Sequence, residues 1–276
     1  MKNYHDILFP YAYNILGSSE DAKDTIQDIL IRYLSIEKHH IKNEIGYLTK
    51  SVINQSISVK KKKKTISVDS IWLPEPISTE NADQNINKEE ILSYSILVLL
   101  EKLSAKERAV FILKEAFDYS HKEIAETISS TLENSRKLLS RAKTKLAKYR
   151  NEENKSPNKD KSHLKSYIKV MQNGDITALE KLLSKDILLA ADGGESIKVV
   201  RELTTGITNT SKLLLYVHKT FLSGMEFMIS YVNHQPAILF FQKGILYNCQ
   251  VFEIEEMKIR SIYSIVDPKK LKSLSP

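Results

Sequence analysis

The sequence predicts a multidomain protein in which two all-α units precede an α+β unit. Two changes of pattern indicate this order. Over roughly the first 150 residues apolar side chains recur at intervals of three and four, whereas beyond residue 213 short strand-like runs alternate with turn residues. Helices followed by a run of antiparallel strands are typical of a separate α+β domain. At 276 residues the chain is also too long for one small core.

The first helical unit, residues 1–64, is expected to hold three helices. Helical spacing runs from Leu8 to Leu34 and is interrupted at Gly17, after which Ser18 or Ser19 can cap the next helix. A third helix is predicted from about Glu44 into an unbroken basic run. Such a run is usually a solvated surface, although on a helix end it can neutralise phosphates. Its five members are Lys60, Lys61, Lys62, Lys63 and Lys64.

Two polar stretches divide the rest of the chain. Residues 65–87 contain Pro74 and Pro76 and are predicted to be a linker, followed by a second helical unit at 88–150. A second linker, 151–161, carries Pro157 and leads into the α+β unit at 162–276. In that unit the pattern predicts one helix over 163–183. It also predicts strands over 213–221, 225–232, 237–241, 246–255 and 258–266.

A helix-turn-helix is predicted between His121 and Leu146. Thr131 can cap its second helix, in which Ser135, Leu139 and Ala142 would face the core. The outer face is then free to enter a major groove, where asparagine pairs with adenine and arginine with guanine. An ordinary helical hairpin with a basic, solvated face is the alternative. The candidate DNA-contacting residues are Asn134, Arg136, Lys137, Ser140 and Arg141.

Charge and composition narrow the function classes. A net charge of +7 favours an anionic partner such as nucleic acid. The one cysteine, Cys249, excludes an internal disulfide and a cysteine-based metal site, and no cofactor or metal is expected. With no signal peptide, and with a longest apolar stretch of only ten residues at 91–100, the sequence predicts a cytoplasmic protein without a membrane partner.

The α+β unit offers scattered candidates for chemistry. Asp192, Tyr216, His218 and Tyr231 are the kinds of residue that an isomerase-type site uses, but they are far apart in sequence, and a lone histidine in a strand is more often structural. No catalytic residue is therefore assigned. A small-ligand pocket remains an alternative, because pockets recur in such folds.

Four segments resemble the extracytoplasmic-function sigma factors of bacterial RNA polymerase, and they occur in the family's order. Residues 20–28 (EDAKDTIQD) are similar to the acidic segment that grips the clamp helices of the polymerase. Residues 45–54 (IGYLTKSVIN) look like the segment that melts and reads the −10 element. Residues 103–111 (LSAKERAVF) resemble the opening of the sigma-4 domain, and residues 135–142 (SRKLLSRA) resemble its recognition helix for the −35 element.

The resemblance implies two partners, core RNA polymerase and promoter DNA, and a role for each segment. For two of these residues a purely structural role is the alternative: Tyr47 would pack in the core, and Asn54 would be an ordinary polar surface residue. Polymerase contact is implied for Asp21, Asp24, Gln27 and Asp28, and −10 contact for Tyr47, Lys50, Asn54 and the five lysines.

Three further motifs resemble a subgroup with a C-terminal extension similar to SnoaL-like domains, which have the cone-shaped fold of nuclear transport factor 2. They are a tryptophan-proline motif at residues 72–76 (WLPEP), an Asp-Gly-Gly element at 192–194 and a closing motif at 266–271 (VDPKKL). The resemblance implies an extension that docks on the sigma domains and regulates them. The residues implied in this role are Trp72, Pro74, Glu75, Pro76, Asp192, Gly193, Gly194, Asp267 and Pro268.

Two other classes of function stay open from the sequence. A helix-turn-helix regulator would bind duplex DNA without core polymerase. An isomerase-like enzyme would depend on residues 162–271 alone. The acidic segment ahead of two separate basic units favours the sigma factor over both.

Overall fold

The computed structural model describes residues 4–37, 41–64, 71–80, 88–147, 157–200 and 202–274. The chain divides into two compact units. The first, which we call the helical unit, comprises Met1–Val68 and Asn81–Arg150. The second, the cone unit, comprises Asp69–Glu80 and Asn151–Pro276, so part of the predicted linker belongs with the C-terminal domain.

The helical unit follows the predicted order of helices. Of the two predicted candidates, Ser18 and Ser19, Ser18 caps the second helix by accepting a hydrogen bond from the Asp21 amide at 3.2 Å. The fully buried Tyr13, Ile26, Ile53 and Ile112 belong to its core. Its helices are α1 (Tyr4–Leu16), α2 (Ser19–Leu34), α3 (Glu44–Lys64), α4 (Tyr94–Leu100), α5 (Ala105–Glu115), α6 (His121–Thr127) and α7 (Leu132–Leu146), with a short 3-10 turn at Lys88–Glu90 before α4.

The cone unit is a six-stranded sheet with helices packed on one face. Its strands lie in the order β2-β1-β6-β5-β4-β3, and β1 is parallel to β6 while the other neighbouring pairs are antiparallel. Its elements are α8 (Pro157–Asn173), α9 (Ile176–Leu182), β1 (Leu183–Asp192), β2 (Thr204–Thr205), α10 (Ile207–Val217), a π-helical turn (His218–Leu222), β3 (Glu226–Val232), β4 (Gln235–Gln242), β5 (Ile245–Glu255), β6 (Lys258–Ile265) and α11 (Pro268–Leu271), before a last 3-10 turn (Lys272–Leu274).

One apolar core joins the helices of the cone unit to its sheet. Tyr167 and Met171 of α8 pack with Leu214 of α10 and with Phe252 of β5. The Tyr167 ring meets Phe252 edge-on, with the ring centroids 5.2 Å apart. Side chains of this unit's own helices thus pack against one face of the sheet.

Two predictions in this unit were wrong. Residues 213–221, expected as a strand, form the end of α10 and the π-helical turn. The apolar run there suits either structure, and burial of Thr210, Ser211 and Leu214 on one side shows helical periodicity. The helix predicted over 163–183 is two helices. They are separated at Gly174, whose φ is 66°, and Asp175 caps the second one. Strand β1, which the sequence pattern did not reveal, begins directly after α9.

Candidate nucleic-acid interface and the docked linker

The helix-turn-helix is present, and its turn has the predicted capping. The Thr131 hydroxyl accepts the Asn134 amide at 3.1 Å, and Ser120 and Glu123 form a capping box at the start of α6. Ser129 occupies the place where a glycine is common in such turns, and it adopts the left-handed conformation with φ of 51°. Ser135, Leu139 and Ala142 are buried, which fixes the face that α7 turns to the core.

The opposite face of α7 carries the five candidate −35 residues, all of them exposed: Asn134, Arg136, Lys137, Ser140 and Arg141. The Asn134 amide group donates to the Ser130 hydroxyl at 2.8 Å, and Lys137 pairs with Glu133 at 2.7 Å. Both contacts are local and exposed to solvent, so a DNA base or phosphate can replace them at low cost. The geometry suits entry of α7 into a major groove, and the individual base contacts stay predictions.

Helix α3 presents the candidate −10 residues unequally. Tyr47 is 41% exposed, so it is not a core aromatic, and its ring lies 6.1 Å from that of Tyr33. Lys50 is exposed. Asn54 is partly buried, and its side-chain amide donates to the Lys50 carbonyl at 2.9 Å and to the Thr127 carbonyl of α6 at 2.6 Å.

The lysine run is not one uniform surface, because consecutive helical residues point about 100° apart. Lys60 turns inward, where its ammonium group donates to the Leu16 carbonyl and to both oxygens of Glu101 at 2.8–2.9 Å. Lys63 pairs with Asp21 at 2.6 Å. Lys61 and Lys62 are exposed, and the side chain of Lys64 lies outside the described residues.

The candidate polymerase-binding residues lie along α2. Asp24, Gln27 and Asp28 are exposed, whereas Asp21 is partly buried by its ion pair with Lys63. Sequence reasoning missed the two large apolar side chains that extend this face toward the C-terminal end of the helix. Ile31 is 58% and Leu34 is 75% exposed, and both follow at helical spacing from Asp24 and Asp28. Acidic and apolar groups thus form one continuous surface, a composition typical of a protein-binding site.

A buried charge network joins α1–α3 to α4–α7 within the helical unit, and we call it the Arg108 network. Arg108 is fully buried; its Nε donates to the Asn14 carbonyl at 2.9 Å and its Nη1 pairs with Glu101. Glu101 also forms an ion pair with Lys60, whose Nζ lies 2.8 Å from Glu101 Oε2. Burial alone would raise the pKa of the Glu101 carboxyl, but Arg108 and Lys60 outweigh it and hold that pKa below its ordinary value.

The linker residues 71–80, which we call the strap, are docked on the cone unit. The Leu73 amide donates to Asp192 Oδ2 at 2.7 Å, and Lys270 Nζ donates to the Leu73 carbonyl and to the same Asp192 oxygen, both at 2.6 Å. The same ammonium group lies 4.2 Å from the centre of the Trp72 ring. Pro74, Glu75 and Pro76 are buried.

The Asp-Gly-Gly element needs its glycines for this geometry. The Gly194 amide donates to Asp192 Oδ1 at 2.9 Å, at a φ of 60°. A Cβ on Gly194 would lie 2.4 Å from Asp267 Oδ2, and one on Gly193 would lie 2.0 Å from the Ile197 carbonyl oxygen. Asp267 in turn caps α11, where Pro268 holds the first position. The three motifs that are distant in sequence therefore meet in one place.

The second half of the strap pairs with the end of the edge strand β3. The Ile77 amide donates to Asn233 Oδ1 and the Asn233 amide donates to the Ile77 carbonyl, both at 2.9 Å. The Thr79 amide donates to the Tyr231 carbonyl at 3.0 Å. Asn233 and Lys270, which hold the two ends of the strap, were not among the candidates from sequence. Asn233 lies in an ordinary predicted turn, and Lys270 lies within the closing motif at 266–271, where the sequence analysis gave it no role of its own.

The four candidates for chemistry have different surroundings. Asp192 is held by Lys270, Tyr216 is 61% exposed, and the Tyr231 ring lies beneath Lys161. His218 lines a small cavity, and burial lowers its pKa. The other lining residues are Tyr167, Ile168, Met171, Leu214, Leu222, Phe240 and Gln250.

This cavity has room for about one water molecule. The buried Oε1 of Gln250 there has no hydrogen-bond partner among the described residues, which suits a single water. A larger ligand stays a prediction that requires these side chains to move.

Comparisons with known proteins agree with the helix-turn-helix and extend over the whole chain. Residues 93–146 match the family model of sigma-70, region 4. A probable ECF RNA polymerase sigma factor, SigI of Mycobacterium tuberculosis, is 25% identical over 273 residues, which cover 97% of this chain and 92% of the relative. The ECF RNA polymerase sigma factor SigJ of the same organism is 26% identical over 206 residues, which cover 70% of this chain and 64% of the relative.

The fold also matches a solved structure over nearly its full length. The crystal structure of the M. tuberculosis extracytoplasmic function sigma factor SigJ superposes with a TM-score of 0.79 at 21% identity, covering 98% of this chain and 96% of that one. Among the described residues no helix is long and apolar enough to cross a membrane. The chain is therefore similar to extracytoplasmic-function sigma factors over nearly its whole length, matches sigma-70 region 4 over residues 93–146, and shares the fold of the SigJ structure.

Proposed function

We propose that this chain binds core RNA polymerase and directs it to promoters, with α1–α3 reading the −10 element and α4–α7 reading the −35 element. The observation that carries the proposal is the coincidence of two findings over one segment. Residues 93–146 match sigma-70 region 4, and within them α7 exposes five polar or basic side chains on the face opposite its core contacts. That is the arrangement by which a recognition helix enters a major groove.

Two helices of the helical unit, α7 and α3, are proposed to contact different parts of the promoter DNA. Arg136 and Arg141 on α7 suit bidentate contacts with guanine, and Asn134 suits adenine. On α3, the exposed Lys61 and Lys62 suit contacts with phosphates, and the exposed Tyr47 ring suits stacking on an unpaired base. The polymerase supplies the chemistry of RNA synthesis, so this function asks for positioning and binding and for no catalytic group in this chain.

The α2 surface is the proposed contact with core polymerase. Asp24 and Asp28 supply charges that steer and orient the partner. Ile31 and Leu34 supply exposed apolar surface whose burial in an interface is favourable. Because part of the binding free energy then comes from apolar contacts, the affinity of this interface is expected to fall less with added salt than that of an interface made of ion pairs alone.

The cone unit is the proposed regulator, acting through the strap. Residues 71–80 lie in sequence between α3 and α4, and so they are part of the segment that joins the two DNA-reading regions. When the strap is docked, these residues are held by Asp192, Asn233 and Lys270 and cannot lengthen the connection. Release of the strap would therefore change how far the two regions can separate.

The polymerase contact can be tested by titrating fluorescently labelled core polymerase with the full chain. The double variant Asp24→Lys and Asp28→Lys is expected to weaken binding by tenfold or more, because two attractive charges become repulsive. Glu256→Lys makes one such reversal of charge, half the total change of the double variant, on the β5–β6 turn of the cone unit and is expected to bind as the unchanged chain does. Equal affinity for all three proteins would rule out α2 as the contact. Duplex binding without any affinity for core polymerase would point instead to an independent helix-turn-helix regulator.

A further inference from the structure

The helices of the cone unit carry a basic surface without acidic residues to balance it. No aspartate or glutamate occurs at residues 161–174, which include most of α8, or at 203–225, which include α10 and the π-helical turn. Charges of both signs are usually interspersed on a soluble surface, so a face of one sign favours an anionic partner. Four lysines here are exposed and form no ion pair within the described part of the chain: Lys165 and Lys169 of α8, Lys212 of α10 and Lys219 of the π-helical turn.

Two exposed aromatic side chains lie among these lysines. Tyr216 is 61% and Phe221 is 49% exposed, and their rings meet edge-on with the centroids 6.4 Å apart. Lys212 precedes Tyr216 by four residues, so both lie on the side of α10 that faces away from the buried Thr210 and Leu214. A pair of exposed rings in contact is typical of a surface that a partner covers.

Helices α8 and α10 belong to one layer. Tyr167 and Met171 of α8 share an apolar core with Leu214 of α10 and Leu222 of the π-helical turn. The exposed sides of the two helices therefore form the outer surface of that layer. We call its six exposed residues the lysine–aromatic face: Lys165, Lys169, Lys212, Tyr216, Lys219 and Phe221.

Cations that flank exposed rings match the chemistry of a single nucleic acid strand. Proteins that hold single strands combine a positive surface that follows the phosphates with aromatic rings on which bases stack. Lys212 and Lys219 lie about 10 Å apart along the helix, with Tyr216 between them. This distance is the length of about three nucleotides at the 3.4 Å rise of a DNA strand. In a duplex the bases are already stacked on one another, so the two rings favour a single strand.

An anionic membrane is the other partner that lysines and aromatic rings suit. A helix that lies in a membrane interface needs a broad apolar face turned toward the lipid. In α10, Leu213, Leu214 and Leu215 instead pack on the unit's own core. The composition of the exposed side therefore favours a nucleic acid strand over a membrane.

From these observations we infer that the lysine–aromatic face of the cone unit binds single-stranded DNA, with its lysines on phosphates and with Tyr216 and Phe221 stacked on bases. The inference rests on the proposed function for its purpose, because promoter opening supplies the single strand. The binding itself can be tested without polymerase.

The test is photo-crosslinking of the full chain to an oligothymidine strand that carries 5-iodouracil, with the crosslinked residues identified by mass spectrometry. Mapping by residue separates this face from Tyr47 of α3, which is also proposed to meet an unpaired base. Crosslinks at Tyr216 or Phe221 are expected, with a yield that falls as salt is added, because phosphate contacts release counterions. Absence of crosslinks at both residues in a protein that makes promoter-specific transcript would overturn the inference and leave the sigma function intact.

The double variant Lys212→Glu and Lys219→Glu tests the phosphate contacts while it keeps both rings. Its crosslinking yield at Tyr216 is expected to fall about tenfold or more, because two attractive charges become repulsive. The matched control, Lys243→Glu with Lys272→Glu, makes the same change of net charge at exposed positions on the β4–β5 turn and the last 3-10 turn. It should crosslink as the unchanged chain does. Equal yields from the two double variants would assign the attraction to net charge and contradict the inference.

A pair of variants at Tyr216 tests the stacking, with the crosslink at Phe221 as the readout. Tyr216→Ala is expected to lower that yield about tenfold, since it removes a ring on which a base stacks. Tyr216→Phe keeps the ring and should match the unchanged chain. A yield that is the same for both variants would show that the strand does not stack at this position.

Two further measurements identify the partner. The same strand annealed to its complement should crosslink at Tyr216 and Phe221 far less than the single strand does, and equal yields would contradict the preference for a single strand. Co-sedimentation with vesicles of phosphatidylcholine and phosphatidylglycerol should not depend on Lys212 and Lys219. Vesicle binding that the double variant loses, without crosslinks to DNA, would assign the face to a membrane and overturn the inference. Crosslinks at these rings in a chain that does not bind core polymerase would support the face and remove the sigma function.

Discussion

Two glycines of the cone unit, one beside the docked strap and one in a turn, show why some glycine positions exclude a side chain while others accept one. Gly194 combines a left-handed backbone with a Cβ direction that points into the Asp267 carboxylate at 2.4 Å. Gly224 has a comparable φ of 79°, but a Cβ there would meet nothing within 4 Å. The two glycines therefore separate the cost of backbone strain from the cost of a steric clash.

Gly194→Ala is expected to destabilise the cone unit by about 2–4 kcal/mol, because it adds a clash with a buried capping residue to about 1 kcal/mol of backbone strain. Gly224→Ala should cost only the strain. Chemical denaturation followed by circular dichroism measures both. Equal losses for the two variants would show that the approach of Asp267 does not restrict position 194.

His163 gives the cone unit a dependence on pH. Its side chain is buried, and its Nε2 has no hydrogen-bond partner in the part of the chain that the structure describes. Burial, with a smaller contribution from Lys258, lowers its pKa. The unfolded chain then binds the proton more readily than the folded one, so this contribution to stability is complete above the unfolded pKa of about 6.5 and is lost as pH falls below it.

We therefore expect the thermal unfolding temperature to fall between pH 7.5 and pH 5.5, and the variant His163→Leu, which cannot be protonated, to lose less over the same interval. Differential scanning calorimetry at the two pH values measures this. A variant with the same pH dependence as the unchanged chain would assign the effect to other histidines, of which His218 also has a pKa lowered by burial.

At the scale of elements, helix ends and periodic faces could be predicted from sequence, whereas pairing partners could not. The N-cap at Thr131 and the buried face of α7 follow from local residue types and were confirmed, and Ser18 is the cap among the two serines that the sequence offered. The apolar run at 213–217 was assigned to the wrong structure because a short apolar segment suits both a buried strand and a buried helix. Strand β1 gains its partner from β6, some 70 residues later, and no local signal encodes a parallel pairing at that distance.

The recognition helix offers a matched test of capping. Thr131→Ala removes the acceptor for the Asn134 amide and should lower the free energy of unfolding of the helical unit by about 1 kcal/mol. Thr144→Ala, an exposed site on the same helix whose hydroxyl only donates back to the Ser140 carbonyl, should change it by less than about 0.5 kcal/mol. Urea denaturation compares them, and a larger loss at Thr144 would contradict the assignment of the cap.

For the whole molecule, the residues that hold the strap on the cone unit were predicted from a family resemblance, whereas their physical roles became known from the structure. Trp72, Asp192, Gly194 and Asp267 are far apart in sequence, and no periodicity links them. The charge that joins them belongs to Lys270, which lies in the closing motif at 266–271 but was assigned no role from sequence. The Arg108 network was not predicted either: Lys60 was assigned to the −10 contact, and no interaction was assigned to Glu101 or Arg108.

Trp72→Ala is expected to loosen the strap, because it removes the ring that covers Lys270. Hydrogen exchange at the Leu73 and Ile77 amides should become faster, and promoter-dependent transcription should change with it. Trp72→Phe keeps an aromatic face and should lie between the alanine variant and the unchanged chain. Unaltered exchange in the alanine variant would show that Asp192 and Asn233 hold the strap without the ring.

The central claim, a sigma factor regulated by its own C-terminal domain, is tested most directly by run-off transcription with bacterial core polymerase. The full chain would be compared with a chain ending at residue 150. The prediction is promoter-specific transcripts that depend on this protein, with a yield that differs between the two chains. No specific transcript from either one, together with no binding to core polymerase, would contradict the claim.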